Sequence, residues 1–297
     1  MHDIEQDLVG EFLQNTLIVI VLYNFNLYDS ITYKCLEEAF VRKSKQKIDL
    51  FIYDNSPVAD IHLGEFTSNS KFNLLYLHDP SNPGVSRAYN RAADWAKSKD
   101  KKLLLVLDQD TKLPAEGLVC YAQAVTSFPE FPLYAPQVYS GGILYSPCRY
   151  VFQKGSNLKG IDPGVHQTRY RSVINSGLLI NLFAFHKVGG YDDEVQLYFS
   201  DHVFFDRIKK YFPRFVVIKC RLEHQLSSVD YNDLSTALIR FAYYSRGARQ
   251  ASHNNNYQYA KHSIMVGLRS LAMSYRFRSL QFLSVFKENF LINSDKA

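Results

Sequence analysis

The first half of the chain alternates short apolar runs with longer segments of helical spacing. The apolar runs occupy residues 16–23, 48–53, 73–77 and 103–107, and the helical segments occupy residues 31–43 and 84–98. Runs of this length and composition are typical of buried strands. Their alternation with helices predicts an α/β fold, in which a mostly parallel central sheet is covered by helices on both faces.

Polar residues follow each of the four predicted strands. The clusters are Tyr23-Asn24, Asp54-Asn55, the segment 79–84, and Asp108-Gln109-Asp110. In open α/β sheets, ligands bind beyond the carboxyl ends of the strands. One such cluster could be an ordinary turn, but four in succession favour a ligand site at one edge of the sheet.

The rest of the chain is less regular and then becomes helical. Loops and short antiparallel strands are predicted for residues 133–171, strands for 172–180 and 215–219, and a helix for 199–211. From residue 231 the pattern is helical, with an interruption near 253–256. We therefore predict a catalytic domain at 1–230 and a helical extension at 231–297.

Composition narrows the classes of protein that fit. Apolar residues make up 46% of the 297 residues, which excludes a disordered chain. The four cysteines have neither CxxC nor zinc-finger spacing, so we expect reduced thiols rather than a structural zinc or a disulfide framework. The start of the chain lacks a basic n-region, and the early apolar run is far too short to span a membrane. A cytoplasmic protein is expected.

Charge is distributed unevenly. The net charge is +5, yet residues 236–297 carry +7 and the preceding residues carry −2. The extension also alternates basic residues with apolar and aromatic ones, which indicates an anionic surface as a partner. An anionic inner membrane surface fits this pattern, and a helical cap on the core or a dimer interface fits equally well. We do not expect nucleic-acid binding, because no recognised motif accompanies the charge.

Asp108 and Asp110 carry the most chemical information. Two carboxylates two positions apart, directly after an apolar strand, can face one divalent cation, and Mg²⁺ and Mn²⁺ prefer oxygen ligands. Transfer of a sugar from a nucleotide needs such a cation, because the diphosphate leaving group gains charge. An Asx turn that ends a strand is the alternative interpretation of the same residues.

The order of the motifs resembles that of the family 2 inverting glycosyltransferases with the GT-A, Rossmann-like nucleotide-binding fold. The resemblance covers residues from about 17 to about 224. It lies in Tyr23-Asn24, Asp54-Asn55-Ser56, Asn82-Pro83-Gly84 with Ser86-Arg87 and Asn90, Leu107-Asp108-Gln109-Asp110-Thr111, Asn175-Ser176-Gly177, and Gly189-Gly190-Tyr191-Asp192. The Leu-Asp-Gln-Asp-Thr form looks most like bacterial rhamnosyltransferases that build O-antigens and capsules.

The resemblance implies a nucleotide side and a metal side of one site. Tyr23 and Asp54 match the positions that contact the nucleotide, with Asp54 accepting from a uracil or thymine ring. Gly84, Arg87 and Asn90 match the loop and helix start that border it. Asp108 matches the carboxylate near the ribose and the metal, Asp110 the direct metal ligand, and His224 a third ligand to Mn²⁺ or Mg²⁺. A turn-forming Asp54, a solvated Arg87 and a simple turn histidine remain the alternatives.

The resemblance also implies a catalytic base. Inversion requires a carboxylate to take the proton of the attacking hydroxyl. Asp201 matches that base, with Arg207 six residues later, although Ser200 stands where the family has glutamate. Helix capping by Ser200 or Asp201 is compatible with the same role. Asp192, Asp193 and Glu194 are the competing carboxylates, and we expect them to shape the acceptor pocket.

The predicted function is transfer of a sugar from a UDP- or dTDP-linked donor to a glycan or a polyprenyl-diphosphate-linked acceptor. A non-catalytic nucleotide or glycan binder with the same fold is a second class, although a binder needs no base at Asp201. A metal-dependent nucleotidyltransferase is a third. That class carries a Gly-rich basic loop after its first strand, whereas this chain has Tyr23-Asn24-Phe25-Asn26 there.

Overall fold

The structure is a computed structural model. It describes residues 2–43, 46–64, 66–69, 71–152, 154–224, 233–252 and 255–292. The predicted domain boundary at 230/231 lies outside these residues, as does part of the predicted interruption near 253–256.

Strands and helices alternate through the first half, as the hydrophobic pattern predicts. The strands are β1 (Thr16–Leu22), β2 (Ile48–Asp54), β3 (Phe66–Ser68), β4 (Phe72–His78), β5 (Leu103–Asp108), β6 (Thr111–Lys112), β7 (Leu133–Ser140), β8 (Ile143–Ser146), β9 (Cys148–Val151), β10 (Lys154–Ser156), β11 (Gly164–Gln167), β12 (Arg171–Ser172), β13 (Leu178–Asn181) and β14 (Arg214–His224). The helices are α1 (His2–Asn15), α2 (Ile31–Lys43), α3 (Val85–Ser98), α4 (Gly117–Ser127), α5 (Leu182–Lys187), α6 (Ser200–Tyr211), α7 (Leu234–Gln250), α8 (Asn256–Phe277) and α9 (Gln281–Phe286), with a 3-10 turn at Leu27–Asp29 and a π-helical turn at Lys287–Leu291.

The main sheet is parallel in its N-terminal half. Along the sheet the order is β11-β14-β7-β13-β5-β1-β2-β4-β3, and β5, β1, β2 and β4 pair in parallel. Leu22 is opposite Asp54, and Val21 is opposite Asp108. The carboxyl ends of these strands therefore meet at one edge of the sheet, as expected.

The C-terminal half is mixed, because β13 inserts antiparallel between β5 and β7, while β14 runs parallel to β7. The strand predicted at 172–180 is wrong in its middle. Gly177 has φ +80°, and the Leu178 N–H donates to the Asn175 carbonyl 2.9 Å away, so the chain turns there. The short strand β12 instead joins β9 and β10 in a separate small sheet.

Helices cover both faces of the sheet. Along β1, alternate side chains such as Ile18 and Val19 enter different core clusters. One cluster is closed by residues of α1, α2 and α4, and the other by residues of α3, α5 and α6. Helix α1 was not predicted from the sequence, yet it buries Phe12 and Leu13 against the sheet. The α/β expectation with helices on both faces is confirmed.

The C-terminal helices form a third apolar cluster with residues that precede α6. Phe241, Phe282 and Phe290 pack there with Val195 and Phe199, which flank the start of α6. This arrangement supports the helical-cap interpretation for the inner faces of α7, α8 and α9. Among the described residues, no helix combines the length and apolarity needed to cross a bilayer.

Candidate active site

Asp108, Asp110 and His224 converge although more than a hundred residues separate the histidine from the aspartates. Strand β5 ends at Asp108, and the short β6 then pairs antiparallel with the end of β14, which sets His224 opposite Thr111. His224 Nδ1 lies 3.4 Å from Asp110 Oδ1, and His224 Nε2 lies 3.8 Å from Asp108 Oδ2. One ligand atom from each residue lies within 4.8 Å of the others, which is the spacing of ligands around one cation.

The turn between the two aspartates is held by side chains from before and within α2. Ser30 Oγ donates to the Gln109 carbonyl at 2.6 Å, and Thr32 Oγ1 donates to the carbonyls of Asp108 and Thr111. The Thr111 N–H donates back to Thr32 Oγ1 at 2.9 Å. These bonds satisfy a buried, irregular backbone, and they fix the direction in which the two carboxylates point.

The two carboxylates have different surroundings. Asp108 accepts hydrogen bonds from the hydroxyls of Ser176 and of Tyr89, the latter at 3.3 Å. Burial, together with the negative charge of Asp108, raises the pKa of Asp110 above its ordinary value, while His224 acts in the opposite direction. A cation between the three side chains would relieve this repulsion, because it favours the ionised form of both aspartates.

His224 supplies the observation that tests the fit of a metal. Its Nδ1 is buried and makes no hydrogen bond to any described residue, despite the nearby Asp110 oxygen. A buried polar atom without a partner costs free energy. An imidazole nitrogen and two carboxylates are a donor set that suits Mn²⁺ or Mg²⁺, so the three side chains fit the predicted metal.

Asp201 lines one cavity together with two of the three residues described above. The cavity has a volume of about 300 Å³, and its lining includes Asp108, Asp201 and His224. Asp201 lies in the first turn of α6, after Phe199 with φ +72°, and its Oδ1 accepts from the His202 N–H at 2.7 Å. The carboxylate predicted as the base is thus oriented by a helix start and lines a cavity that Asp108 and His224 also line.

The competing carboxylates are engaged elsewhere. Asp192 Oδ2 lies 2.6 Å from Arg207 Nη2 in an ion pair. Asp193 Oδ1 accepts from Asn90 at 2.7 Å. Neither residue, nor Glu194, belongs to the cavity lining. The arginine six residues after Asp201 therefore secures the Gly-Gly-Tyr-Asp turn, and Asp201 remains the candidate base.

Ser200, at the position where the resembled family has glutamate, makes a hydrogen bond within the protein. It is buried, and its hydroxyl accepts a 3.2 Å hydrogen bond from Asn175 Nδ2. Asn175 Oδ1 in turn accepts from the Tyr191 hydroxyl at 2.8 Å. Ser200 thus ties the start of α6 to the Asn175-Ser176-Gly177 turn, which also carries the Asp108 partner Ser176.

Asp54 lies at the predicted nucleotide side but is enclosed by protein groups. It is 1% exposed. Its Oδ1 accepts from the Ser56 N–H at 2.9 Å, and its Oδ2 accepts from the Tyr76 hydroxyl at 2.6 Å. The Ser56 hydroxyl then accepts from the Asn24 N–H at 2.8 Å. Asp54 therefore organises the ends of β1, β2 and β4, whatever contact it makes with a base.

Gly84, Arg87 and Asn90 all contact the segment 191–196. A Cβ on Gly84 would lie 2.1 Å from the Gln196 carbonyl oxygen, so only glycine fits there. Asn90 accepts from the Tyr191 N–H and donates to the Tyr191 carbonyl. Arg87 pairs with Asp193 at 3.9 Å, and both side chains are about half exposed. These residues lie at the start and in the first two turns of α3, and their contacts stabilise the segment that precedes α6.

Tyr23 lies at the rim of the strand ends. Its side chain is exposed, and its N–H donates to Gln109 Oε1 at 2.9 Å. Gln109, between the two aspartates, thereby connects the ends of β1 and β5. Sequence reasoning missed this contact, and it also missed Ser30, Thr32 and Tyr89. No local signal marks these residues, because each acts on a partner more than eighteen positions away in sequence.

Comparisons with known proteins identify the fold. No family model matches the chain, and no curated protein matches it. The structure is similar to that of S. aureus TarS, a GT-A-type glycosyltransferase. A crystal structure of TarS 1–349 aligns over 91% of this chain and 90% of that chain, with a TM-score of 0.51 and 10% identity.

Two further TarS crystal structures agree with this. One covers 92% of this chain and 55% of that chain, with a TM-score of 0.52 and 12% identity, so this chain spans about half of its length. The other, in complex with UDP-GlcNAc, covers 93% of this chain and 74% of that chain, with a TM-score of 0.52 and 12% identity. At these identities the likeness shows the GT-A fold alone, which confirms the predicted fold class.

Proposed function

We propose that the protein is a metal-dependent, inverting glycosyltransferase that uses a nucleotide diphosphate-sugar. The observation that carries the proposal is the single cavity that brings Asp108 and His224 together with Asp201, with Asp110 beside them. A cation site supports departure of a diphosphate, and a separate carboxylate can accept a proton. A binding protein requires no such pairing.

The roles follow from position. The cation would be held by Asp108, Asp110 and His224, and it would neutralise charge on the departing nucleoside diphosphate. Ser176 and Tyr89 hold the Asp108 carboxylate in place through their hydroxyls. Asp201 accepts the proton of the acceptor hydroxyl as that oxygen bonds to the anomeric carbon. The bond between the sugar and the diphosphate breaks on the opposite face, so the configuration inverts.

Uridine and thymidine donors, including dTDP-rhamnose, remain the two candidates from the sequence. The TarS crystal structures in complex with UDP and with UDP-GlcNAc favour a uridine donor. The acceptor in this proposal is a glycan or a polyprenyl-diphosphate-linked saccharide, as in synthesis of O-antigen and other surface polysaccharides. A panel of UDP- and dTDP-sugars, scored first by thermal shift with Mn²⁺ and then by release of nucleotide, identifies the donor.

The metal assignment is tested by Asp110→Asn, which keeps the side-chain shape and removes one charge. We expect turnover to fall roughly a thousandfold or more, since a bound cation contributes several kcal/mol to the transition state. Chelation of the wild-type protein should have the same effect, reversed by Mn²⁺. The control is Asp100→Asn, the same change at an exposed position before β5, which should retain full activity.

Full activity of Asp110→Asn would remove the metal from the proposal. Nucleotide binding in the wild type without turnover of any donor would instead indicate the non-catalytic binder.

A further inference from the structure

We infer that the outward face of α8 is a docking surface for an anionic lipid bilayer. Five side chains form this surface, which we call the α8 stripe: Tyr257, Ile264, Leu268, Leu271 and Tyr275. The inference rests on the proposed function and extends it by naming the surface that would bring a lipid-linked acceptor to the site. Its test measures vesicle binding without turnover, so the two proposals can fail separately.

The α8 stripe is an apolar face that Lys261 interrupts between Tyr257 and Ile264. Its residues follow one another at intervals of seven, four, three and four positions, which places them on one side of a helix. They are 64%, 66%, 63%, 56% and 89% exposed, in chain order. With a rise of 1.5 Å per residue, the stripe extends for about 27 Å. Exposed apolar surface of this kind marks an interaction site.

The other face of α8 is already covered. His262, Val266, Ser270 and Met273 are buried, and Val266 and Met273 belong to the apolar cluster with Phe241 and Phe282. The helix is therefore held in the fold by one face and does not need the α8 stripe for its attachment. One side of α8 thus packs on the rest of the protein as a cap, and the opposite side is free to contact a membrane, so the two interpretations of the extension are compatible.

Charge around the stripe identifies the partner. The charged residues of α8 itself are Lys261, Arg269 and Arg276, and the helix contains no Asp or Glu. Lys261 follows Tyr257 by four positions on the same side of the helix and lies over its ring at 4.0 Å. Long basic side chains with apolar stems and charged heads suit the headgroup region of an anionic bilayer. The tyrosines at both ends of the stripe suit the same interface.

A second copy of the chain fits this surface poorly. Two α8 stripes facing each other would bring together helices that carry Lys261, Arg269 and Arg276 and no Asp or Glu, and like charges across an interface are unfavourable. An anionic bilayer offers both the apolar layer and the opposite charge.

The stripe also borders a groove that lies next to the candidate active site. Ile264 and Leu268 line a groove of about 940 Å³ between α8 and the small sheet, together with Lys154, Lys261 and Arg269. Phe199, His202 and Tyr244 line both this groove and the cavity that contains Asp201. The groove therefore adjoins the cavity that contains Asp201, and a lipid-linked acceptor in a bilayer beneath α8 would lie beside that cavity.

The experiment is co-sedimentation of the full chain with vesicles of phosphatidylcholine alone and of phosphatidylcholine with phosphatidylglycerol. We expect binding to the anionic vesicles only, weakened by added salt. The double variant Leu268→Ser/Leu271→Ser should bind at least tenfold more weakly, because it removes two apolar side chains from the interface. Val58→Ser/Ile61→Ser changes two side chains that are 77% and 86% exposed elsewhere, and it should bind like the wild type.

Equal binding of wild type and stripe variant would overturn the inference, as would equal binding to neutral and anionic vesicles. A wild-type dimer that the stripe variant converts to a monomer, without vesicle binding, would overturn it as well and assign the surface to a second copy. Asp110→Asn should sediment like the wild type, so loss of the transfer reaction leaves this test intact.

Discussion

The nucleotide side and the metal side of the site differ in how their polar groups are satisfied. On the nucleotide side, Asp54 and Asn90 have protein partners for their side-chain polar atoms. On the metal side, His224 Nδ1 is buried without a hydrogen bond to a described residue, and two carboxylates lie beside it. Asn55 Oδ1, directly after β2, is also buried without a partner among the described residues, although buried polar groups are normally paired. What distinguishes the metal side is that its unpartnered nitrogen lies beside two carboxylates.

Residues that match the motifs of one family can therefore serve either the stability of the fold or the reaction. Asp54, Gly84 and Asn90 hold the backbone that surrounds the site, and their substitution should be felt first in stability. Asp110, His224 and Asp201 meet at the candidate site, and we expect their substitution to lower turnover more than stability. The predictions below test this division, from the largest expected effect to the smallest.

Asp201→Asn should lose turnover by roughly two to four orders of magnitude, the contribution of a positioned base. Donor affinity and unfolding free energy should stay close to wild type, because the amide oxygen of the substituted side chain can still accept from the His202 N–H. Initial rates and donor titration calorimetry measure the turnover and the affinity. The matched control is Asp192→Asn, which weakens the ion pair with Arg207 and should retain turnover. The opposite result would move the base to the Gly-Gly-Tyr-Asp turn.

Gly84→Ala should lower the free energy of unfolding by roughly 2–4 kcal/mol, since it combines overpacking with an unfavourable positive φ. The new Cβ would lie 2.1 Å from the Gln196 carbonyl oxygen, at φ +92°. Gly142→Ala is the control, because Gly142 has φ +79° and a Cβ there would meet no atom within 4 Å. It should lose only about 1 kcal/mol. Equal urea midpoints for the two variants would mean that the backbone around Gln196 can move to accommodate the new Cβ at little cost in free energy.

Tyr76→Phe and Asp54→Asn separate the structural role of Asp54 from base recognition. Each change disturbs the buried hydrogen bond of 2.6 Å between the two side chains, and each should cost about 1–3 kcal/mol of unfolding free energy. If Asp54 also accepts from a uracil or thymine ring, nucleotide affinity should fall in Asp54→Asn alone. Equal affinity in both variants would restrict Asp54 to its structural role.

His262 sharpens the comparison as a buried histidine that lies outside the group of Asp108, Asp110 and His224. Neither ring nitrogen makes a well-aligned hydrogen bond to a described residue, and burial lowers the pKa of His262 to about 4. In the unfolded chain His262 therefore binds a proton near pH 6.5, whereas in the folded chain it binds one only near pH 4. Stability should fall as the pH falls through this window.

The expected loss is about 1 kcal/mol between about pH 7 and 5.5, measured by urea unfolding. His262→Leu should remove this part of the pH dependence. An unchanged profile in that variant would assign the acid sensitivity to other groups.

The fold followed from local patterns to a large extent. The strands β1, β2, β4 and β5 lie where apolar runs predicted them, because a buried parallel strand needs a continuous apolar run. Helix α1 was missed, because its buried residues Val9, Phe12 and Leu13 lie in its second half, whereas its first half is acidic. The segment 172–180 was wrong in its middle, because a turn at Gly177 depends on close packing against Leu222 and Tyr121.

The sequence by itself determined the order of strands and helices, the polar strand ends and the pair of aspartates after β5, because hydrophobic periodicity and short-range motifs are local properties. Only the tertiary structure decided which of these residues meet. The pairing of β6 with β14 brings His224 to Asp110, and the ion pair with Arg207 removes Asp192 from the competition for the base. Packing of one α8 face left the other exposed. Such choices depend on contacts between distant parts of the chain, which no local pattern records.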